Sequence, residues 1–243
     1  MTKIRINRFI ASTGAISRRR ADELVRSGRV VLNSQKACLG DTVDPQTDEI
    51  RVDGKIVSSQ EILYLAMNKP RFMLTSMYDP SGRPCIKDLI PSQYAGVFPV
   101  GRLDFDAEGL LLLTNDGDLA QGIHHPSYAI QKVYSVKVRP CAKEEQIKEM
   151  ASGVYLDGKR TIPAQIEHIR ATSRESTLRI TLRQGLKNQI KRMALAVGLE
   201  VTSIRRISIG PVKIDGISPG DVRPLTPAEI ANLHKMLKMH KKP

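Results

Sequence analysis

Residues 101–117 read GRLDFDAEGLLLLTNDG. The leucines from Leu110 to Leu113 form a short apolar run bounded by turn residues. A run of that kind reads as a strand buried on both faces. Thr114-Asn115-Asp116-Gly117 closes it with a turn. Gly101 opens the segment, where glycine allows an unusual backbone angle or a close approach. Asp104 therefore lies in a loop anchored to a core strand, a common place for a working residue. The plainer reading is a solvated or turn-forming carboxylate, and Asp106, Glu108, Asp116 and Asp118 compete with it for any role.

Outward from this strand, the chain divides into a small N-terminal module, residues 1–60, and a larger unit, residues 61–243. In the module, Ile6, Phe9 and Ile10 recur at helical spacing, and Ser17 can cap a second helix. Ala21, Leu24 and Val25 form the apolar stripe of that helix. Arg18, Arg19, Arg20 and Arg26 lie on its other face, and Gly28 suits its end. Val30 to Leu32 and Ile50 to Val52 read as strands. In the larger unit the pattern predicts strands over 62–67, 97–100, 110–114, 134–138, 164–169, 177–183 and 201–209. It predicts helices over 143–151, 188–197 and 227–238. The β-α-β alternation is irregular and many strands are separated by turns, so the fold class is α+β with a mixed, mainly antiparallel sheet. His240-Lys241-Lys242-Pro243 reads as a frayed basic tail.

Composition narrows the partners. The 243 residues carry a formal net charge of +13, which predicts a polyanion, nucleic acid or an anionic membrane surface. The first 36 residues alone hold nine Lys/Arg against Asp22 and Glu23. No apolar run approaches the roughly 20 residues that span a bilayer, and the start of the chain lacks a signal-peptide core. A cytoplasmic protein with no membrane partner is expected. Cys38, Cys85 and Cys141 and the scattered histidines have no metal-ligand spacing, so no metal is expected. G-x-G-x-x-G and P-loop motifs are missing, and no nucleotide or redox cofactor is expected. Trp is absent and aromatics are 4%, which predicts binding by shape and phosphate contact rather than by wide stacking platforms.

Two further segments carry chemistry. Gln131 to Val138 alternates as a strand, and Tyr134 in it reads as a core or cross-strand aromatic. Gln184 to Met193 (QGLKNQIKRM) runs from a strand end into a helix. Its cations face the positive end of the helix dipole, an arrangement that makes sense with an anion nearby and otherwise describes a solvated cationic face.

These three segments, in this order, resemble the signatures of the bacterial ribosomal-RNA pseudouridine synthases. GRLDFDAEGLLLLTNDGDLA resembles the segment whose G-R-L-D aspartate is the nucleophile, which implies Asp104. KVYSVKV resembles K-x-Y-x-V-x-V, which implies that Tyr134 packs on the target uracil and is the candidate general base. His124-His125-Pro126 resembles the family's H-P segment and reads as structural. QGLKNQIKRM is similar to G-x-x-x-Q-I-R/K-R-M. It implies that Lys191 is the cation paired with Asp104, with Arg102 the second cation available, and it departs from the family at Asn188, where Arg or His is usual. Lys187, Asn188, Gln189, Arg192 and Arg206 then become expected RNA contacts. IRRISIG (204–210) and GDVRPLTPAE (220–229) resemble the family's closing segments. ISRRRADELVRSGRVVLN resembles an S-four-type RNA-binding domain, whose arginines would hold phosphates, and a central cleft is expected in the catalytic domain.

The resemblance implies isomerisation of uridine to pseudouridine without a cofactor. TSMYDPSGRPCIKDLIP (75–91) is more similar to large-subunit enzymes, so 23S rRNA is favoured as partner and 16S rRNA stays open, with a monomer as the default state. The rival readings are a non-catalytic rRNA-binding or ribosome-assembly factor and an RNA methyltransferase fused to the same module. The first leaves the matching positions of Asp104, Tyr134 and Lys191 unexplained, and the second lacks its glycine-rich loop.

Overall fold

The computed structural model of the chain describes residues 3–14, 16–58 and 60–239, so the basic tail at 240–243 lies outside the described residues. The chain forms two compact units. The first comprises residues 1–63, 91–98 and 114–116, and the second residues 64–90, 99–113 and 117–243.

In the first unit, helices α1 (Ile6–Ser12) and α2 (Arg18–Arg26) precede strands β1 (Val30–Leu32), β2 (Gln35–Lys36), β3 (Ile50–Val52) and β4 (Lys55–Ile56). The strands form an antiparallel sheet in the order β2-β1-β3-β4. Ser17 caps α2 as its sequence position predicts, its side chain accepting from the Arg20 N–H at 3.2 Å. Gly28, at φ +68°, follows the end of that helix. Ala21, Leu24 and Val25 turn inward against Ile6, Phe9, Ile10, Val30 and Ile50. Each large apolar side chain buried this way contributes about 1.5–3 kcal/mol. The inward stripe leaves Arg18, Arg19, Arg20 and Arg26 exposed.

In the second unit, the strands are β5 (Tyr64–Lys69), β6 (Glu108–Thr114), β7 (Lys132–Arg139), β8 (Gln165–Ala171), β9 (Ser176–Leu182), β10 (Glu200–Ile209) and β11 (Val222–Pro224). The helices are α3 (Gly117–His124), α4 (Glu144–Ser152), α5 (Gln189–Ala196) and α6 (Pro227–Met239). The main path of the sheet runs β8-β9-β7-β10-β6-β5-β11. Its pairs are antiparallel at β8–β9, β9–β7, β7–β10 and β5–β11, and parallel at β10–β6. This is the α+β arrangement with a mixed, mainly antiparallel sheet that the irregular alternation predicts. Among the described residues, no helix is long and apolar enough to cross a membrane.

The leucine run lies at the centre of this sheet, with Leu110 to Leu113 all at most 2% exposed. Its neighbour β10 approaches closely. Gly109, at φ +109°, lies against Arg206 of β10, and a Cβ there would fall 2.3 Å from the Arg206 carbonyl oxygen. Only glycine permits that crossing. Helix α3 is missing from the sequence-based reading because two glycines, Gly117 and Gly122, weaken its helical signal. Gly122 has a packing reason: a Cβ would lie 2.8 Å from the Leu237 side chain on α6. Leu119, Ile123 and Leu233 share one buried cluster there, with Leu110 and Leu112 of β6. A second cluster gathers Ile147 and Met150 of α4 and Ile190, Met193 and Ala194 of α5 with Val136, Val138, Leu178 and Ile180 of β7 and β9.

Candidate active site

The loop 101–107 precedes β6 and is held from several sides. Strand β5 ends at Lys69, a lysine with 0% exposure. An ammonium has three donors, and here each has an acceptor. Lys69 Nζ donates to the carbonyls of Pro70 at 3.0 Å, Asp104 at 3.3 Å and Ala107 at 2.8 Å. The backbone on both sides of the Asp104–Ala107 turn is thereby tied to the end of a core strand. Burial lowers the Lys69 pKa to about 8, while the carboxylates of Asp106 and Asp104 act in the opposite direction. Thr75 adds a second tie. Its hydroxyl donates to the Leu103 carbonyl at 2.7 Å and accepts from the Leu103 N–H at 3.2 Å. Leu103 and Ala107 are buried, and Asp104 between them is partly exposed.

The start of α5 meets the same loop. Asn188 caps the helix in the left-handed region, φ 53° and ψ 31°, a conformation asparagine adopts more readily than most residues. Its carboxamide faces the Asp104 carboxylate. With the nitrogen turned toward it, Asn188 donates to Asp104 Oδ2 at 2.9 Å and Oδ1 at 3.1 Å. Lys191 corrects the expected pairing: its Nζ binds both oxygens of Asp106, at 2.6 and 2.7 Å, rather than Asp104. The reason is helical geometry. Residues three apart share a face, so Asn188 and Lys191 meet two carboxylates two residues apart in the loop, and Asn188 takes the nearer one. Burial pushes the Asp106 carboxyl up, but the hydrogen bond and charge of Lys191 outweigh it and hold it below the ordinary carboxylate range. The anion that the basic helix start calls for is thus in the chain itself, in the loop carboxylates.

Tyr134 lies on β7, 9% exposed, at a register shift where β7 pairs with β10. It belongs to the same buried cluster as Leu103 and Ala107, the residues that bracket the Asp104 turn. The arrangement therefore brings a partly exposed carboxylate with a hydrogen-bond donor and an ammonium–carboxylate pair to one loop, and the residues that bracket its turn share a buried cluster with Tyr134. A carboxylate held in this way can serve as an ionised nucleophile.

Other expected site residues go elsewhere. Arg206 is 3% exposed, and its Nε donates to the Leu110 carbonyl at 2.6 Å. It ties β10 to β6 and is too buried to contact RNA from outside, a correction that follows from the close parallel pairing at Gly109. Gln189 is buried as well: its Oε1 accepts from the Leu186 N–H at 3.0 Å and its Nε2 donates to the Met193 sulfur at 3.4 Å. It shapes the turn into α5 and does not face solvent. Arg192 pairs with Asp157 at 2.6 Å. Arg102 and Lys187 are exposed, and among the described residues the Arg102 side chain forms no ion pair. Lys69 and Thr75, which hold the loop, are residues that the sequence reading missed. The signal for Lys69 was a charge ending an apolar strand, in Leu65-Ala66-Met67-Asn68-Lys69.

The sequence matches the model of the family described as RNA pseudouridylate synthase over residues 63–196, a span that contains Asp104, Tyr134 and Lys191. It is 41% identical to an uncharacterized RNA pseudouridine synthase of Aquifex aeolicus, covering 97% of this chain and 95% of the other. It is 33% identical to the ribosomal large subunit pseudouridine synthase B of Bacillus subtilis, covering 96% of each chain. A dual-specificity RNA pseudouridine synthase of Escherichia coli is 36% identical over 97% of this chain and 80% of its own. Among solved structures, the crystal structure of a pseudouridylate synthase superposes with a TM-score of 0.69 at 31% identity, covering 95% of this chain and 99% of that one. The chain belongs to the RNA pseudouridylate synthase family, and its relatives there include a bacterial enzyme named for the ribosomal large subunit.

Proposed function

We propose that this enzyme isomerises a uridine of ribosomal RNA to pseudouridine, with Asp104 as nucleophile and 23S rRNA as the favoured substrate. The observation that carries this reading is the convergence on one loop. Lys69, Asn188 and Lys191 all act on the segment 104–107, and only Asp104 receives a neutral donor while keeping partial exposure. In the reaction the N1–C1′ bond of the nucleotide breaks, the uracil turns, and a C5–C1′ bond forms. The C5 proton leaves to a base and N1 gains a proton, so atoms balance with no redox partner. Asp104 supplies the carboxylate beside the sugar or the ring, and Tyr134 takes the C5 proton. A uridine already unpaired or in a loop costs least to extract toward such a site.

The 23S preference is supported by the Bacillus subtilis relative, whose name specifies the large subunit, and by the D-P-x-G-R-P segment at 79–84. In that segment Arg83 grips Asp79 at 2.7 Å. The N-terminal unit serves as an S-four-type RNA-binding module. The exposed Arg18, Arg19, Arg20 and Arg26 support this role, since phosphate contacts position an RNA without reading its sequence.

The test is a map of pseudouridines in rRNA from cells with and without the gene, repeated with Asp104→Asn in its place. One 23S pseudouridine is expected to vanish in the deletion and to stay absent with Asp104→Asn, while the purified variant still binds the rRNA. An unchanged map, or an active Asp104→Asn enzyme, overturns the reading.

A further inference from the structure

Beside the Asp104 turn the chain exposes two aromatic rings that neither packing nor the isomerisation chemistry explains. Phe72 is 59% exposed and Phe105, the residue after Asp104, is 45% exposed. The chain has four phenylalanines and no tryptophan, so half of its phenylalanine stands here in solvent. The two rings meet edge to face, centroids 5.8 Å apart at 60°. The Arg71 guanidinium lies 5.0 Å from the centre of the Phe72 ring, and its Nε donates to the Asp106 carbonyl at 3.0 Å. The Phe72 N–H donates to the Phe105 carbonyl at 2.6 Å, which fixes the two segments side by side.

The backbone makes the placement more pointed. Phe72 sits at φ +60°, in the left-handed region that a bulky side chain rarely occupies and glycine fills without strain. A strained backbone here carries a ring that stands mostly in solvent and belongs to none of the buried clusters, and its N–H is bonded to the turn that carries Asp104. Strain of this sort persists where a site needs the side chain.

We infer that Arg71, Phe72 and Phe105 form a stacking site for an unpaired base of the RNA substrate, next to the uridine that enters at Asp104. This rests on the proposed function. The occupant follows from the chemistry: an exposed aromatic face with a guanidinium, on a protein of net charge +13, suits a nucleobase on a phosphate backbone. Every base offers a π-face, so the site holds the strand near the target with little demand on sequence. Low overall aromatic content excludes a wide platform but leaves room for this local one.

Tritium release from unmodified 23S and 16S rRNA transcripts carrying [5-³H]uridine tests the site. Phe72→Gly removes the ring and suits φ +60°, so its melting temperature should equal or exceed the parent's. Its KM should rise about tenfold or more with kcat little changed, the signature of lost binding common to ground and transition states. Phe72→Trp should keep KM near the parent value, and Phe72→Leu, apolar but without a ring, should behave like Phe72→Gly. A Phe72→Gly enzyme with unchanged KM, or rescue by Phe72→Leu, overturns the stacking site. If the parent releases no tritium from either transcript, the failure belongs to the proposed function. Filter binding of the same transcripts to the same three variants then decides the stacking site by the same ranking.

Discussion

Helix α2 and the loop 104–107 use charge in opposite ways. On α2, Arg18, Arg19, Arg20 and Arg26 stand in solvent. Among the described residues their ion pairing is weak: the Arg20–Glu23 pair has both side chains more than half exposed, and such pairs contribute about 0–1 kcal/mol. Around the loop, Lys69 is wholly committed to carbonyls and Lys191 to Asp106, at 2.6 Å. The first set of cations is kept available for an outside anion. The second is consumed inside, Lys69 on backbone carbonyls and Lys191 on one carboxylate. Net charge alone therefore does not locate an RNA surface, and Lys69 and Lys191, which hold the loop, are not free to touch phosphate.

The sharpest break of that contrast is Lys69→Met. It leaves the carbonyls of Pro70, Asp104 and Ala107 without their donor, and unsatisfied groups of this kind cost about 1–3 kcal/mol each. Expected are a loss of about 3 kcal/mol or more in thermal or urea unfolding and at least about a hundredfold fall in tritium release, since small displacements of a reacting group can cost that much. A stable, fully active Lys69→Met enzyme would show that the clamp is ornamental. The wild-type pH dependence gives a second reading of the same group. Burial puts the Lys69 pKa at about 8, below that of an ordinary lysine. As pH rises through about 8 the folded enzyme loses this proton and one donor, so activity should fall. Stability should move the other way on account of Lys69, because above about 8 the unfolded chain binds more protons than the folded one. Parallel falls in both would assign the pH effect to another group.

On the α2 side, replacing Arg18, Arg19, Arg20 and Arg26 by Gln should weaken rRNA binding about a hundredfold at low salt. It should also flatten the dependence of log Kd on log salt by up to about 3, near 0.7 for each phosphate released. Lys191→Met, a cation lost from the loop side, should leave that slope where it is. Equal slopes for the quadruple variant and the parent would remove the N-terminal unit from RNA anchoring.

How far these two regions could be read from the chain differs for the same reason. The α2 face follows from local periodicity: Ala21, Leu24 and Val25 turn inward, so the arginines that flank them turn out. The leucines of β6 likewise announce a buried strand, and Asp104 a loop before it. The grip on that loop is assembled from residues about 35 and 85 positions away, Lys69 on β5 and Asn188 and Lys191 on α5. No short-range pattern encodes which of two nearby carboxylates each one meets. Arg206 and Gln189 misled for a related reason. Polar residues in a basic segment read as surface, whereas the close β10–β6 crossing and the turn into α5 bury them. Phe72 was hidden differently, because a positive φ at a phenylalanine contradicts the residue type and shows only in the backbone.

The smallest effect concerns which group holds Asp104, the proposed nucleophile. Asn188 directs a neutral amide at Asp104, while the ammonium of Lys191 is spent on Asp106. A neutral donor orients a carboxylate without adding a full positive charge to its surroundings, which leaves Asp104 a better nucleophile than a tight ion pair would. Asn188→Ala removes two hydrogen bonds to a charged group and should lower kcat about tenfold with KM nearly constant. Lys191→Met acts on Asp104 only through the neighbouring carboxylate of a partly exposed pair, so its fall in kcat should be the smaller of the two. Asn188→Asp, which sets a like charge against Asp104, should fall furthest, and Asn188→Gln should recover part of the loss. If Lys191→Met instead falls well below Asn188→Ala, the cation and not the amide governs Asp104 in the working complex. The loop would then have to exchange partners when RNA binds, with Lys191 leaving Asp106 for the nucleophile.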